Sequence, residues 1–157
     1  MDRIQLPASV KVAKSSINCT NAIVYDEIPI YPGEKEVALL LATNWLLVSP
    51  VANRLEGLIW KKAHPAVKAN IFTQYVQEED VIDYEQTFII STTAEGIWQG
   101  SIGRYKAYPQ PLVLIRPPQL VTIGLVMTSG IVVVTCYYVF QRVTDEQLAK
   151  LMVKDHA

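Results

Sequence analysis

The longest run of apolar positions lies near the C-terminus. No residue from Pro117 to Gln141 is charged, and the stretch from Leu120 to Phe140 is predominantly apolar. As an α-helix rising 1.5 Å per residue, such a stretch spans about 30 Å, the thickness of a bilayer's hydrocarbon core. The pattern therefore predicts one transmembrane helix over 117–141. The alternatives are a buried core helix or a pair of β-strands, because Ile131 to Val134 has strand propensity.

The residues that flank this run fit a membrane boundary. Arg116 and Arg142 bracket it, and their long side chains can reach the headgroups. Tyr137 and Tyr138 lie near one end, where aromatic side chains favour the interface. Pro117 cannot extend a helix backwards, so it marks the start. The predicted membrane boundary comprises Arg116, Tyr137, Tyr138 and Arg142.

Small and weakly polar residues recur within the predicted membrane helix. Gly124 and Thr128 are four positions apart, and Thr135 follows Thr128 by seven. Small residues let membrane helices approach closely, and hydroxyl groups hydrogen-bond across the contact. The spacing predicts a helix-packing face of Gly124, Thr128, Ser129 and Thr135. The partners expected from this face are other transmembrane subunits of a complex, within a lipid bilayer.

The last residues predict a short helix. Thr144 and Gln147 have the spacing of a capping box, and Leu148, Leu151 and Met152 follow as an apolar stripe. Region 142–157 is therefore expected to form a tail helix on the opposite side of the membrane.

The sequence pattern over residues 34–62 predicts two helices. Apolar residues crowd the stretch from Glu34 to Val48, and Ser49-Pro50 is typical of a second helix start. The uncharged stretch Val37 to Asn53 is long enough to be considered as a second membrane segment. Because it contains polar residues and a proline, we interpret it as a buried or interfacial helix.

Beyond His64-Pro65 the pattern favours β-structure. Ile71 to Val76 and Gln86 to Thr92 are rich in β-branched and aromatic residues, and Leu112 to Ile115 adds a further short strand. The predicted fold class is α+β: two helices, then short strands, one C-terminal transmembrane helix and a short amphipathic tail helix. The predicted organisation is an extended segment over 1–33 that ends in the turn signal Pro32-Gly33, a mixed region over 34–116, the membrane helix over 117–141 and the tail over 142–157.

Composition and charge exclude several classes of function. The formal net charge is −1, so the chain has no general affinity for nucleic acid. Its histidines, His64 and His156, are far apart in sequence, and Cys19 and Cys136 form no ligand cluster with them. A zinc site needs about four convergent ligands. We therefore expect no metal and no cofactor.

The densest group of charges is acidic. It comprises Glu78, Glu79, Asp80, Asp83 and Glu85. Its spacing does not match a calcium-binding EF-hand loop, which needs a glycine and a distal glutamate. We interpret it as a solvated loop. The alternative, a membrane enzyme that uses these carboxylates, is not favoured because no nucleophile or base motif accompanies them.

These observations favour a non-catalytic role. The leading hypothesis is an accessory or structural subunit of a multi-subunit membrane protein complex. An energy-converting complex of the respiratory or ATP-synthase type, in an organelle inner membrane such as the mitochondrial one, is the expected home by analogy. The alternative is a tail-anchored adaptor or receptor that recruits a soluble partner. The chain is not expected to be an enzyme.

Overall fold

The computed structural model describes residues 9–19, 22–49, 55–61, 80–87, 100–124 and 130–156. Most of these residues are in β-strands, and one helix follows the last strand. The strands are β1 Lys11–Cys19, β2 Val24–Glu27, β3 Glu36–Ser49, β4 Leu55–Trp60, β5 Val81–Thr87, β6 Gly100–Leu114, β7 Gln119–Gly124 and β8 Gly130–Arg142. The helix, α1, spans Asp145–His156.

The strands form two antiparallel sheets of four. Sheet A has the order β1-β8-β3-β6, and sheet B has the order β2-β7-β4-β5. Along the chain, β1 pairs with β8, β2 with β7, β3 with β6 and β4 with β5. The chain is thus one long hairpin whose paired strands are distributed over two sheets. Eight strands wrapped in this way form a jelly roll.

The hydrophobic core lies between the two sheets. Fully burying one of its aliphatic side chains stabilises the fold by about 1.5–3 kcal/mol. Sheet B lies close to sheet A at Gly57, where an added Cβ would lie 3.0 Å from the Trp45 ring and 3.1 Å from Val132. A glycine is therefore required there to let the indole pack. The largest fully buried side chains between the sheets include Leu40, Trp45, Leu47, Leu55, Ile59, Leu114, Leu120 and Val132.

The predicted transmembrane helix over 117–141 is wrong. Its described residues form β7 and most of β8, which lie in different sheets. In β8, Val132 and Val134 are buried in the core, whereas Ile131 and Val133 alternate with them on the other face. Because both faces of the strand are apolar, its composition equals that of a membrane helix. The strand-pair alternative is the correct one.

The prediction that the chain crosses a membrane depended on this helix. Among the residues that the structure describes, no helix is long and apolar enough to cross a membrane. The interpretation of the chain as an integral, single-pass protein of an organelle inner membrane is therefore wrong.

The two helices predicted within 34–62 are also wrong, and with them the α+β fold class. Glu36–Ser49 is strand β3, and Leu55–Trp60 is strand β4. β3 is apolar on both faces over much of its length, and every residue of β4 is buried. The alternation of period two that marks a half-buried strand is therefore missing from both segments. The predicted strand at 71–76 lies outside the described residues.

Two local predictions are confirmed. The amide of Thr144 donates to Oε1 of Gln147 at 3.0 Å, and the amide of Gln147 donates to Oγ1 of Thr144 at 3.2 Å, which is the capping box of α1. The turn signal at Pro32-Gly33 precedes a tight turn, in which Glu36 donates its amide to the carbonyl of Gly33. Lys35 adopts the left-handed conformation there, with φ of 57°.

Candidate functional site

Two buried carboxylates and two partly exposed cations meet where the edge strands β5 and β6 face each other. We call this group the ionic cluster, and define it as Asp83 and Glu85 of β5 together with Arg104 and Lys106 of β6. A register shift in the pairing of β4 with β5 leaves Ile82 without a partner in β4. Because of this bulge, the successive residues Ile82 and Asp83 both face sheet A: Ile82 packs on the core, and Asp83 bonds to Trp45. The predicted solvated acidic loop is thus wrong for Asp83 and Glu85, whose side chains are only 7% and 5% exposed.

Asp83 accepts hydrogen bonds on both carboxylate oxygens. Oδ2 accepts from Thr43 Oγ1, Trp45 Nε1 and Tyr108 OH, each at 2.9 Å. Oδ1 accepts from Lys106 Nζ at 2.7 Å and from the backbone amide of the next residue at 2.8 Å. Every lone pair of this carboxylate is therefore occupied by a donor of the protein itself.

The charges in the cluster are paired. Lys106 Nζ lies 2.5 Å from Glu85 Oε1 as well as 2.7 Å from Asp83 Oδ1, and Arg104 reaches Glu85 at 3.2 Å. Burial alone would raise the pKa of Asp83, but hydrogen bonds from Lys106 and Trp45 outweigh it and hold the pKa below its ordinary value. Burial likewise opposes the charge of Lys106, yet its bonds to Asp83 and Glu85 raise its pKa.

This arrangement joins the two sheets, and Asp83 at its centre is poorly suited to act as a general base. A general base needs an unoccupied lone pair and a pKa near the working pH, whereas Asp83 is saturated and its pKa is lowered. Tyr108, beside it, has a pKa raised by burial, so the phenol remains protonated. Within the described part of the chain, no three His, Cys, Asp or Glu side chains are placed to hold a metal ion. The ionic cluster therefore acts as a structural cross-link.

The second candidate is the side of sheet A that points away from sheet B, which we call the outer face. Strand register aligns its residues in transverse rows: Ser16, Val133, Leu46 and Gly103 form one row, and Asn18, Ile131 and Val48 form the next. The remaining rows contain Lys14, Thr135, Asn44 and Tyr105; Val12, Tyr137 and Ala42; and Val139, Leu39 and Val113.

The outer face is predominantly apolar, although five residues of the rows just given are polar, and it is partly exposed. Leu46 is 46% and Ile131 is 41% exposed, and Val12, Tyr105 and Val113 are also among the exposed large apolar side chains. A Cβ added at Gly103 would meet no atom within 4 Å, so the space above the sheet is open. Lys14 is the only charged residue in the rows just given.

One end of the outer face is covered by α1. Gln147, Lys150 and Leu151 of the helix line a cavity of about 320 Å³ together with Val37, Leu39 and Val113 of sheet A. The helix is held there by a hydrogen bond from Val143 N to Lys35 O at 3.0 Å. In the part of the chain that the structure describes, no element covers the rows beyond Val139 in this way.

The opposite side of the sandwich differs. On the outer face of sheet B, Leu58, Trp60 and Val121 form a second hydrophobic cluster, and each of them is buried. Apolar residues on that face are thus shielded from water by the single chain, whereas those on the outer face of sheet A are not.

Two of the four residues of the predicted helix-packing face are described, and they lie in different sheets. Gly124 ends β7 in sheet B, and Thr135 lies on β8 in sheet A, on its outer face. Thr128 and Ser129 lie outside the described residues. Because β7 and β8 are strands, helical spacing does not place Gly124 and Thr135 on one face.

The predicted boundary residues are also dispersed. Tyr137 lies on the outer face, and its ring makes an edge-on contact with Tyr105, with centroids 6.3 Å apart. Tyr138 points into the core and is largely buried. Arg142 ends β8 opposite Glu36, and Arg116 lies in the segment between β6 and β7.

Sequence reasoning missed Thr43, Trp45, Arg104, Lys106 and Tyr108 as partners of the acidic residues. Only the pairing of β3 with β6 and the packing of the sheets bring them to Asp83 and Glu85. A signal was present in β6, where Arg104, Lys106 and Tyr108 alternate with period two, as on one face of a strand. No protein-family model matches the chain, and the search of curated proteins finds no significant match.

Proposed function

We propose that the chain is a non-catalytic structural subunit of a multi-subunit protein assembly, and that the outer face of sheet A is its assembly surface. The single observation that carries this proposal is that this face is apolar and nearly uncharged yet open to solvent. An antiparallel sheet with one free face normally alternates apolar and polar residues, because water covers one side. Both faces of β8 are largely apolar. Such a composition is typical of a strand whose two faces are both covered by protein.

The composition of the face is that of an interface. Cores of protein interfaces are depleted in charged residues and enriched in tyrosine, and large contiguous apolar patches mark interaction sites. The outer face has Tyr105 and Tyr137 in contact, aliphatic side chains such as Leu46 and Ile131, and Lys14 as the charged residue of its rows.

The pairing of the titratable groups in the ionic cluster also supports a structural role. The ionic cluster places buried carboxylates and cations together, which is often the mark of an active site. Here each carboxylate is paired with a cation, and Asp83 is saturated by five donors. Jelly-roll domains include capsid subunits as well as lectins and cupins, so the fold agrees with assembly only at the level of analogy.

Sizing of the protein in its native source tests this proposal. An extract is fractionated by native gel or gradient, and the co-migrating components are identified by mass spectrometry. We expect the protein in a stoichiometric assembly well above its 17.6 kDa. Migration of all the protein as a single chain would contradict the proposal.

The variant Leu46→Lys makes the same test specific to the surface. It places a charge in the middle of the outer face at a residue that is already 46% exposed, so folding is preserved while burial against a partner becomes costly. Tyr31→Lys is the matched control, since Tyr31 is 59% exposed and lies in the segment between β2 and β3. We expect the first variant to leave the assembly and the control to remain in it.

A further inference from the structure

We infer that the partner that covers the outer face of sheet A is a second copy of this chain, related by a two-fold axis so that the two outer faces pack against each other. This inference rests on the proposed function and names its partner. Three features of the described residues support it: the charge of the face, its area, and the state of the sheet edges.

The charge pattern allows the face to meet itself. In an isologous contact the same patch is used on both subunits, so any charge on it faces a like-charged patch. Like charges brought together in an interface are strongly unfavourable. The rows of the outer face contain one charged residue, Lys14, which lies on edge strand β1 rather than on the central strands. A partner of opposite charge has nothing to pair with across the rest of the surface.

The area is sufficient for a weak dimer. Between Ala42 and Val48, the part that α1 leaves uncovered, β3 is roughly 23 Å long, and four strands are roughly 19 Å wide. Each copy therefore offers roughly 440 Å², and two copies bury roughly 900 Å². Interfaces of this size belong to weak, reversible complexes.

The edges of sheet A are poorly suited to association. Pro109 and Pro111 are exposed in edge strand β6, within a segment between Ala107 and Leu112 that pairs with no residue of β3. Proline cannot donate to a β-ladder, and lysines also blunt an edge. The other edge of sheet A, β1, begins with Lys11 and includes Lys14. Association through added strands is therefore disfavoured at both edges of sheet A, which favours its outer face as the surface for a second copy.

Charge-swap variants of the purified protein test this inference. One variant contains Leu46→Lys and Ile131→Lys, and the other contains Leu46→Glu and Ile131→Glu. Both positions are exposed on neighbouring rows of the outer face, so the variants are expected to fold, which far-ultraviolet circular dichroism checks. The mass of each variant, of the wild type and of a mixture is measured by sedimentation equilibrium.

We expect the wild type to have twice the 17.6 kDa mass of the chain. Each charged variant alone is expected to raise the dimer Kd by roughly a hundredfold or more, because like charges then meet in the interface. An equimolar mixture is expected to recover the dimer mass, a result that two misfolded variants cannot give. The control Tyr31→Lys should remain dimeric.

Two results would overturn the inference. A wild type that remains a single chain at roughly 100 µM, a concentration at which even weak specific dimers form, excludes self-association. A lysine variant that dimerises as strongly as the wild type excludes this face. If either occurs while the native protein still migrates in a large assembly, the partner is a different protein and the proposed function stands. If the native protein is also a single chain, both proposals fail.

Discussion

Both faces of sheet A are predominantly apolar along β3 and β8, but their environments are opposite. On the inner face, Leu47 is 0% exposed and packs in the core between the sheets; its neighbour on the outer face, Leu46, is 46% exposed. The same contrast holds along β8, where Val132 and Val134 are buried and Ile131 is exposed. Apolar residues alone thus do not tell which side of a strand is packed within the chain.

The difference in burial between the two faces also separates contributions to folding from contributions to partner binding. Inner-face residues stabilise the fold, because their burial is complete in the single chain. Outer-face residues contribute little to folding and retain apolar surface that a partner can bury. Three pairs of variants and one single variant test this contrast at successively smaller expected effects.

The largest effect is expected at the adjacent leucines of β3. Leu47→Ala creates a cavity in the core and should lower the free energy of unfolding by about 2–5 kcal/mol. Leu46→Ala removes a half-exposed side chain and should cost less than about 1 kcal/mol in the dissociated chain. Urea unfolding at low protein concentration measures both. Equal losses would show that the outer face is packed within the single chain.

A smaller effect is expected in the ionic cluster at one edge of the inner face. Asp83→Asn removes the charge that Lys106 pairs with and should cost about 2–4 kcal/mol at neutral pH. Because the pKa of Asp83 is below its ordinary 3.8 in the folded chain, its contribution is present above that value and is lost as the pH falls through the folded pKa.

The pH dependence provides the control for this variant. The loss caused by Asp83→Asn should be full at neutral pH and should shrink as the solution is acidified, which urea unfolding of both proteins at several pH values measures. Lys14→Gln on the outer face is the comparison, with an expected change within about 0.5 kcal/mol. A penalty for Asp83→Asn that is independent of pH would show that the carboxylate contributes shape rather than charge.

A further comparison uses two glycines. Gly57→Ala pushes a methyl group against Trp45 and Val132 at 3.0 and 3.1 Å and should destabilise the fold by about 1–3 kcal/mol. Gly103→Ala points into open space on the outer face and should be neutral or slightly stabilising. Thermal unfolding compares the two. Destabilisation by the second variant would mean that the outer face is not open in the chain.

The smallest effect is expected at the helix that covers one end of the outer face. Thr144→Ala removes the side-chain half of the capping box and should cost about 1 kcal/mol. Hydrogen exchange of the α1 amides is expected to accelerate, while exchange in β8 stays unchanged. A parallel acceleration in β8 would show that α1 and sheet A unfold as one unit.

Short-range signals were readable from the sequence. Thr144 and Gln147 define the start of α1 by local hydrogen bonds, and Pro32-Gly33 defines a turn, because capping and turn chemistry depend on neighbouring residues only. The strand propensity of residues 131–134 also pointed to β8, although the apolar length of the segment outweighed it.

Long-range features were not readable. A strand apolar on both faces has no period of two, so β3, β4 and β8 resemble helices by hydropathy alone. The ionic cluster forms only when β3, β5 and β6 meet, and Thr43, Asp83 and Lys106 are far apart in sequence. The assembly surface requires knowledge of which side of sheet A is packed, which only the order of strands in the two sheets supplies.

Hydroxyl-radical footprinting of the native protein tests the central claim most directly, since it reports whether the outer face is covered whatever covers it. Tyr105 on the outer face is 63% exposed in the single chain, and Tyr31 away from it is 59% exposed, so the two rings should be oxidised at similar rates in the isolated chain. In the native protein we predict that oxidation of Tyr105 falls several-fold while that of Tyr31 is unchanged. Equal oxidation of both tyrosines in the native protein would contradict the assignment of the outer face as an assembly surface.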